Sequence, residues 1–489
     1  MRCRLVLLAC LAAGTARAAA KAHDWIGINQ WVDDWDNVHM SATDTARVAD
    51  WIRWYTYMEW TTDRPGAFHF APTLIPAFDF DNWFGTWHRA GLKVSLCLNQ
   101  PPAYCSSFQA NGNRGGPPDK YPPCGNTAGT HPLDYADYAE WVRQLTARYG
   151  RRGTGVVDAL EIFNEPNLTE EWGGWRHDAC PRTHRDWCDA DVAQYAACLK
   201  AAYVFAKKAD TAMPVSGGVT AGFDEAYFDG LQANGGIEFL DALNFHTYVG
   251  EDGSKGPGHP PEYRHAFRAF CQKAAGWRDT HAPGLPLWLT EVGWDAHDEK
   301  VRPPTFIGAT LREQADWLVR AYVIGAEYLD RVFWFIAADG KPGMATTQFD
   351  NCGIVHAYGE RNPKGPPSVR PKPAYWWMAL MKKEIGGLDY AATLAYNDAG
   401  AFAYLFRDPA SRGGVIVAWC ADAGKPVYAG KMLKRRAIPL MGSPTACTQV
   451  TPKTGSAKGT RQELRIRDGQ VLVDLSETPV FLELDDTGG

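Results

Sequence analysis

The chain has few of the features that would send it to nucleic acid, to a membrane or to a metal. Its 489 residues carry a formal net charge of only -6, and no basic cluster dominates, so nothing in the balance calls for nucleic acid or anionic lipid. A neutral substrate is easier to accommodate. No Cys-x-x-Cys pair occurs among the twelve cysteines, which removes the commonest zinc and redox spacings. No stretch beyond the first twenty residues is apolar for long enough to anchor the chain in a bilayer. Internal repeats and low-complexity tails are also missing.

What is present begins with an export pattern. Arg2 and Arg4 precede an apolar run from Leu5 to Ala13 and a small-residue stretch at 16–20. That is the order of a secretory signal peptide over residues 1–20, with an apolar part too short to span a membrane. A mature chain beginning near 19–21 and a secreted or periplasmic location are therefore expected. Ten cysteines would then sit where disulfides persist. Cys105/Cys124 and Cys180/Cys188 read as loop staples and Cys420/Cys447 as a third bridge, although spacing leaves connectivity open.

Short apolar runs recur at 25–28, 52–58, 92–98, 159–163, 214–219, 242–245, 286–290 and 332–336. Between several of them, 135–149, 192–208, 264–280 and 311–329 place apolar residues three or four apart, as amphipathic helices do. Almost wholly apolar strands alternating with helices predict a parallel sheet buried on both faces. Eight such units predict an α/β fold of the (β/α)8 TIM-barrel type over 21–385. From about 386 the pattern changes to alternating runs at 401–406, 415–419, 463–466 and 471–475, which predicts a C-terminal β-sandwich module over 386–489. The long segments 100–131 and 167–189, the latter with Trp172, Trp175 and Trp187, follow predicted strands and would wall the C-terminal face of the barrel.

Two of the runs end in carboxylates. Leu160-Glu161-Ile162-Phe163-Asn164-Glu165-Pro166 closes the fourth strand, and Leu287-Trp288-Leu289-Thr290-Glu291-Val292-Gly293-Trp294 closes the seventh. An isolated Asn-Glu-Pro also arises as a helix cap, so neither segment means much alone. Together they put Glu165 and Glu291 on one rim. Glycoside hydrolysis needs such a pair, one group to protonate the leaving oxygen and one to attack the anomeric carbon. Arg53 interrupts the apolar second strand, where a charge must be paired, and is expected to orient a carboxylate. Glu161, mid-strand, and Glu59, without a motif, are left outside the catalytic set.

The two motifs and their strand positions resemble those of the clan A (β/α)8 retaining glycoside hydrolases, most closely glycoside hydrolase family 39 and related bacterial exopolysaccharide endoglycosidases. Asn-Glu-Pro-Asn followed by Trp172, the segment 370–376 and the ending 473–480 carry the family resemblance, while Phe163 stands where that family usually has Trp. The resemblance implies Glu165 as acid/base, Glu291 as nucleophile and Asn164 as partner of the sugar 2-hydroxyl. It implies that Tyr248 touches the nucleophile, and that His246 meets the sugar or a neighbouring carboxylate. Trp334 is expected to floor the sugar site, where an aromatic ring packs on the apolar face of a pyranose. An oligo- or polysaccharide substrate is implied, with no metal or organic cofactor. A transglycosylase of a wall or capsule polymer, or a barrel that binds carbohydrate without turnover, are the alternative readings.

Overall fold

The apolar runs become eight parallel strands: β1 (Ile26–Gln30), β2 (Trp51–Tyr57), β3 (Lys93–Asn99), β4 (Ala159–Ile162), β5 (Val215–Ala221), β6 (Ala242–His246), β7 (Leu287–Val292) and β8 (Arg331–Trp334). They close into a barrel in sequence order, β8 pairing back on β1 with Trp334 opposite Ile28. This computed structural model describes residues 24–30, 40–75, 78–99, 101–105, 135–168, 192–249, 258–340, 348–356, 370–398, 400–408, 413–423, 434–442 and 444–485. The proposed signal peptide, most of the segments 100–131 and 167–189, and the pairs Cys105/Cys124 and Cys180/Cys188 involve residues outside that set.

Among the described residues eight α-helices accompany the strands: α1 (Ala42–Val48), α2 (Phe80–Arg89), α3 (Tyr135–Tyr149), α4 (Val192–Ala209), α5 (Glu225–Ala233), α6 (Ala266–His281), α7 (Leu311–Gly325) and α8 (Pro373–Ile385). Their starts are chemically marked. Ser41, Asp79 and Asp224 each accept a backbone N–H in the first turn that follows, and Thr310 with Glu313 forms a reciprocal cap. α6 begins two residues later than the periodicity predicts, because Arg264 and His265 take left-handed backbone angles (φ 49° and 59°) that no helix can include. Among the described residues no helix is long and apolar enough to cross a membrane.

The barrel interior is layered by the two-residue period of its strands. Trp51, Ala159, Ala242, Trp288 and Phe333 form a separate buried apolar cluster that floors it. One step toward the strands' C-terminal ends, the inward positions become Asn29, Arg53, Glu161, Asn244 and Thr290, all at most 1% exposed. The charged and amide side chains therefore stand above an apolar floor.

After β9 (Val355–His356) and β10 (Arg370–Pro371), the chain forms β11 (Asp389–Asp398), β12 (Ala401–Arg407), β13 (Gly414–Cys420), β14 (Lys434–Pro439), β15 (Ala446–Lys453), β16 (Ser456–Leu464), β17 (Ile466–Arg467), β18 (Gln470–Leu475) and β19 (Val480–Asp485). A six-stranded sheet in the order β11-β12-β13-β19-β15-β16 faces a three-stranded sheet, β14-β18-β17. β12 shows how the larger sheet serves two cores. Ala401, Ala403 and Leu405 pack between the sheets with Ile438, Val471 and Val473. Phe402, Tyr404 and Phe406 join the barrel's own core, where Phe406 stacks on Trp25 at 6.0 Å. The predicted single strand at 463–466 is instead divided at Arg465, where the chain leaves one sheet for the other.

The expected Cys420/Cys447 bridge is not formed; both thiols are buried and free. Register explains this. Cys447 lies opposite Leu484 of β19, whereas β13 pairs Ala418 with Val480 and carries Cys420 beyond that point. The two cysteines sit on opposite sides of β19 and are offset by roughly 20 Å along it, far beyond the reach of a disulfide.

The floor makes a stability prediction. A Cβ on Gly27 would lie 2.2 Å from the Phe333 ring, and Phe333 has no room to retreat between Trp288 and the strands. Gly27→Ala should cost about 1–3 kcal/mol or more, read as a lower midpoint in urea unfolding; an unchanged midpoint would mean the floor is not close-packed.

Candidate active site

The polar layer is organised by one guanidinium. Arg53 on β2 is wholly buried, and its Nε donates to Glu161 Oε1 at 2.8 Å, with Nη2 donating to the same oxygen. Its Nη1 donates to Glu291 Oε1 at 2.7 Å and to Asn29 Oδ1 at 2.8 Å, while Nη2 also reaches Asn164 Oδ1 at 3.0 Å. Burial opposes the charge on Arg53, but Glu161, with further help from Tyr55, Cys97 and Glu291, carries its pKa well above the usual value. This cation stays charged.

Glu291 collects donors on both oxygens. Tyr55, two residues beyond Arg53 on the same inward face of β2, donates to Oε1, and Tyr248 donates to Oε2 at 2.6 Å. Burial alone would push the Glu291 carboxyl up. The charges of His246 and Arg53 and the hydroxyls of Tyr248 and Tyr55 outweigh it and hold the group below the ordinary glutamate range. Burial, together with the charge of Glu291, pushes both phenols well above theirs, so they remain donors.

Glu165 reaches the same place from a kinked strand end. Phe163 and Glu165 have φ of 65° and 41°, left-handed values that are unfavourable for residues with side chains. The kink is held from several sides. Asn164 N donates to Asn99 Oδ1 at 2.8 Å, and Phe163 is buried beside Tyr138. His246, at the end of β6, approaches Glu165 Oε1 with Nδ1 at 2.7 Å and Glu291 Oε2 at 3.5 Å, while its Nε2 meets Thr290 Oγ1 at 3.1 Å. Ligand atoms of Glu165, His246 and Glu291 all lie within 4.8 Å of one another. Such a trio also has the spacing to hold a cation. Here Glu291 already takes three strong donors and Arg53 supplies the positive charge, so the trio reads as two carboxylates bridged by an imidazole. The Glu165 side chain is 16% exposed and that of Glu291 6%, which puts Glu165 nearer to solvent.

The sequence-predicted residues thus fall into three groups. Glu165, Glu291, Asn164 and Tyr248 converge on the site and keep some exposed surface. Arg53 and His246 converge on it but are wholly buried, so they face the carboxylates and offer nothing to a substrate. Trp334 does not belong to the site. It lies on the outward side of β8, fully buried, with its indole N–H on the Cys352 carbonyl at 2.9 Å and its ring against Trp294 at 5.8 Å. The inward positions are Phe333 below and Phe335 above, and Phe335 packs edge-on against Tyr248 at 6.2 Å. Phe349 lies 4.8 Å from Tyr248 and Phe306 6.3 Å from Phe349, completing an aromatic wall.

Sequence reasoning passed over Tyr55 and Glu161. A two-residue period counted from Arg53 points to Tyr55. Glu161 carries the same signal as Arg53, a charge within an apolar strand.

No protein-family profile and no curated protein matches the sequence. Solved structures do match. A family 39 glycoside hydrolase from the gut symbiont Bacteroides cellulosilyticus WH2 aligns over 95% of this chain and 81% of its own, with 15% identity and a TM-score of 0.63. A monomeric beta-xylosidase from Caulobacter crescentus CB15 aligns over 97% and 99%, at 16% identity and 0.58. A GH30 endoxylanase from Clostridium papyrosolvens C71 aligns over 94% and 96%, at 12% identity and 0.57. This chain has their fold. The match runs through barrel and sandwich together, because it spans nearly the whole chain in each case.

The lowered pKa of Glu291 has a consequence for stability. A carboxylate depressed in the folded state stabilises the fold above its unfolded pKa and loses that contribution as pH falls through the folded one. Tyr248→Phe removes one donor to the charged form and should destabilise by roughly 1.5–3 kcal/mol near neutral pH. Urea unfolding at a series of pH values should show the gap between variant and wild type closing as Glu291 protonates. A gap independent of pH would mean that Tyr248 does not support an ionised Glu291.

Proposed function

We propose that the protein is a retaining glycoside hydrolase that is exported and cleaves β-linked glycosides or polysaccharide by double displacement. The observation that carries this reading is the approach of a Glu165 carboxylate oxygen to one of Glu291, within 4.8 Å. Inverting enzymes separate their carboxyl groups by about 6.5–9.5 Å to admit a water, whereas retaining enzymes hold them about 5–5.5 Å apart. The names of the structural neighbours support a saccharide substrate: a xylosidase, an endoxylanase and an alpha-L-arabinofuranosidase from Thermotoga maritima.

The residues divide the work as follows. Glu291, kept ionised by Arg53, Tyr55 and Tyr248, attacks the anomeric carbon with a carboxylate oxygen. The bond to the leaving oxygen breaks with its electron pair, and that oxygen takes the proton of Glu165. A glycosyl ester of Glu291 results. Water then enters on the side of Glu165, which removes a proton as the water oxygen attacks the same carbon. Glu291 leaves as carboxylate, and two inversions give net retention. His246, on Glu165 Oε1, orients the acid/base. Asn164 Oδ1 accepts from Arg53 Nη2, so its amide nitrogen is the side presented to a sugar hydroxyl. Phe335 and Phe349 give the sugar ring an apolar wall in place of Trp334.

On a panel of aryl β-glycosides and β-linked polysaccharides, Glu291→Gln should lower turnover by roughly three orders of magnitude or more. Glu165→Ala should be rescued by azide, yielding a β-glycosyl azide, and proton NMR of the native reaction should show the β-anomer first. Near wild-type turnover by Glu291→Gln, or the α-anomer first, would overturn the mechanism. Export is tested separately: expression in a bacterial host should deliver a processed chain whose N-terminal residue falls at 19–21, and full-length protein confined to the cytoplasm would refute that part.

A further inference from the structure

Arg53 is shared unequally between two carboxylates, and the catalytic cycle proposed above uses only one of them. Glu161 takes Nε and Nη2, the broad side of the guanidinium, and Glu291 takes the single Nη1 edge. Glu161 is itself wholly buried and unable to reach a substrate. Its second oxygen accepts from Asn244 Nδ2 at 2.5 Å, and Asn244 is in turn 3.3 Å from Ser216 Oγ. A buried carboxylate with both oxygens engaged is an investment that the chemistry of Glu165 and Glu291 does not explain.

The covalent step gives it a purpose. When Glu291 bonds to the anomeric carbon, its negative charge is consumed in the ester, and the electron pair leaves on the departing oxygen with the proton of Glu165. Arg53 has no access to water and cannot give up its own charge. With Glu291 as its sole counter-ion, Arg53 would hold the resting carboxylate tightly and be left unpaired in the intermediate, so the pair would resist the reaction.

We propose that Glu161 is a positioning residue that acts through Arg53, serving as the permanent counter-ion that keeps the guanidinium paired when Glu291 becomes an ester and that tempers its grip on Glu291 before attack. The inference rests on the glycosidase reading. The groups facing Glu291 are Arg53 and Tyr55 from β2, Glu165 beyond β4, and His246 and Tyr248 from β6 and its end. Those facing Glu161 are Arg53, Asn244, the Cys97 thiol on β3 and, more distantly, Tyr195 on α4. Burial, then the charge of Glu161, pushes Cys97 up, so the thiol stays neutral and is no substitute counter-ion.

The sign of one titration decides the matter. In enzyme labelled with carbon-13 at the glutamate carboxyls, the Glu291 resonance is identified by its loss in Glu291→Gln and followed with pH in wild type and in Glu161→Gln. If Glu161 tempers Arg53, Glu161→Gln frees the cation for Glu291 and the apparent pKa of Glu291 falls. The acid limb of kcat/KM should move to lower pH with it, kcat/KM on the best aryl β-glycoside should drop roughly tenfold to hundredfold, and Glu161→Asp should recover part of the loss. A merely structural Glu161 would release Arg53 from its place and send the titration upward, and either a rise or no movement overturns the proposal. Should Glu161→Gln not fold, Asn244→Leu tests it in the opposite sense. It removes a donor from Glu161 and leaves more of that charge for Arg53, so the Glu291 titration should rise; no movement would overturn the proposal. Because the titration needs no turnover, an enzyme that cleaves nothing on the panel would sink the glycosidase reading without deciding the charge coupling.

Discussion

A guanidinium enclosed in a barrel can be kept only if every side of it is met, and the upper half of this barrel is arranged around that requirement. Arg53 lies on the second strand, yet its partners come from β1, β4, the turn after β4 and β7. Removing any one would leave a buried charge partly unpaired, which costs far more than the hydrogen bond itself contributes. The same constraint holds the kink at 163–165, because Asn164 Oδ1 is one of the acceptors Arg53 needs. The left-handed backbone of Phe163 and Glu165 persists because the surroundings fix it from both sides.

Such a charge network requires a dry base, and the layering of the barrel supplies it. Trp51, Trp288 and Phe333 close the interior below Arg53, so water has no path to the cation from the N-terminal end. With solvent excluded, interactions among Arg53, Glu161 and Glu291 are less screened than on a surface. The aromatic residues above, Tyr55, Tyr248, Phe335 and Phe349, extend that exclusion to the mouth of the site while leaving Glu165 partly exposed. The two carboxylates therefore differ in surroundings, Glu291 enclosed among donors and Glu165 nearer to solvent, a difference that the proposed division of roles requires.

How much of this was legible in the sequence follows from which signals survive burial. Parallel strands covered on both faces are apolar runs, so the eight strands stand out, and a carboxylate or arginine within one stands out against them. The same property hides the facing of each residue. In Val332-Phe333-Trp334-Phe335-Ile336 both faces are apolar and a two-residue period leaves no mark, so Trp334 reads as well for the interior as Phe335 does. Phasing β8 from Gly27, which must lie opposite a large inward residue, needs the closed barrel. Glu161 was visible but isolated, because its partner is 108 residues away and the two meet only across three neighbouring strands. The Cys420/Cys447 expectation failed for a related reason: nearness in a sheet depends on register along β19, and composition carries no register. The left-handed pair Arg264 and His265 left no trace, since neither residue type announces that backbone.

The sandwich takes part in shaping the site. Glu262 and Arg320 form an ion pair buried at 0% and 1% side-chain exposure, and Arg320 also donates to the Glu477 carbonyl between β18 and β19. Arg264 N donates to the Ala423 carbonyl beyond β13. These contacts pin the segment after β6 against the larger sheet. That segment carries His259, whose carbonyl accepts the Trp294 indole N–H at 3.0 Å. Trp294 follows Glu291 by three residues, so the chain leaving β7 is held on one side by a loop that the sandwich secures and on the other by Trp317 of α7 at 5.7 Å. Arg320 comes from that same helix. The module that sequence divides from the barrel is thus one wall of the frame in which Glu291 is set, which accounts for an interface built from core-like aromatics and a buried arginine of the barrel rather than from a hinge.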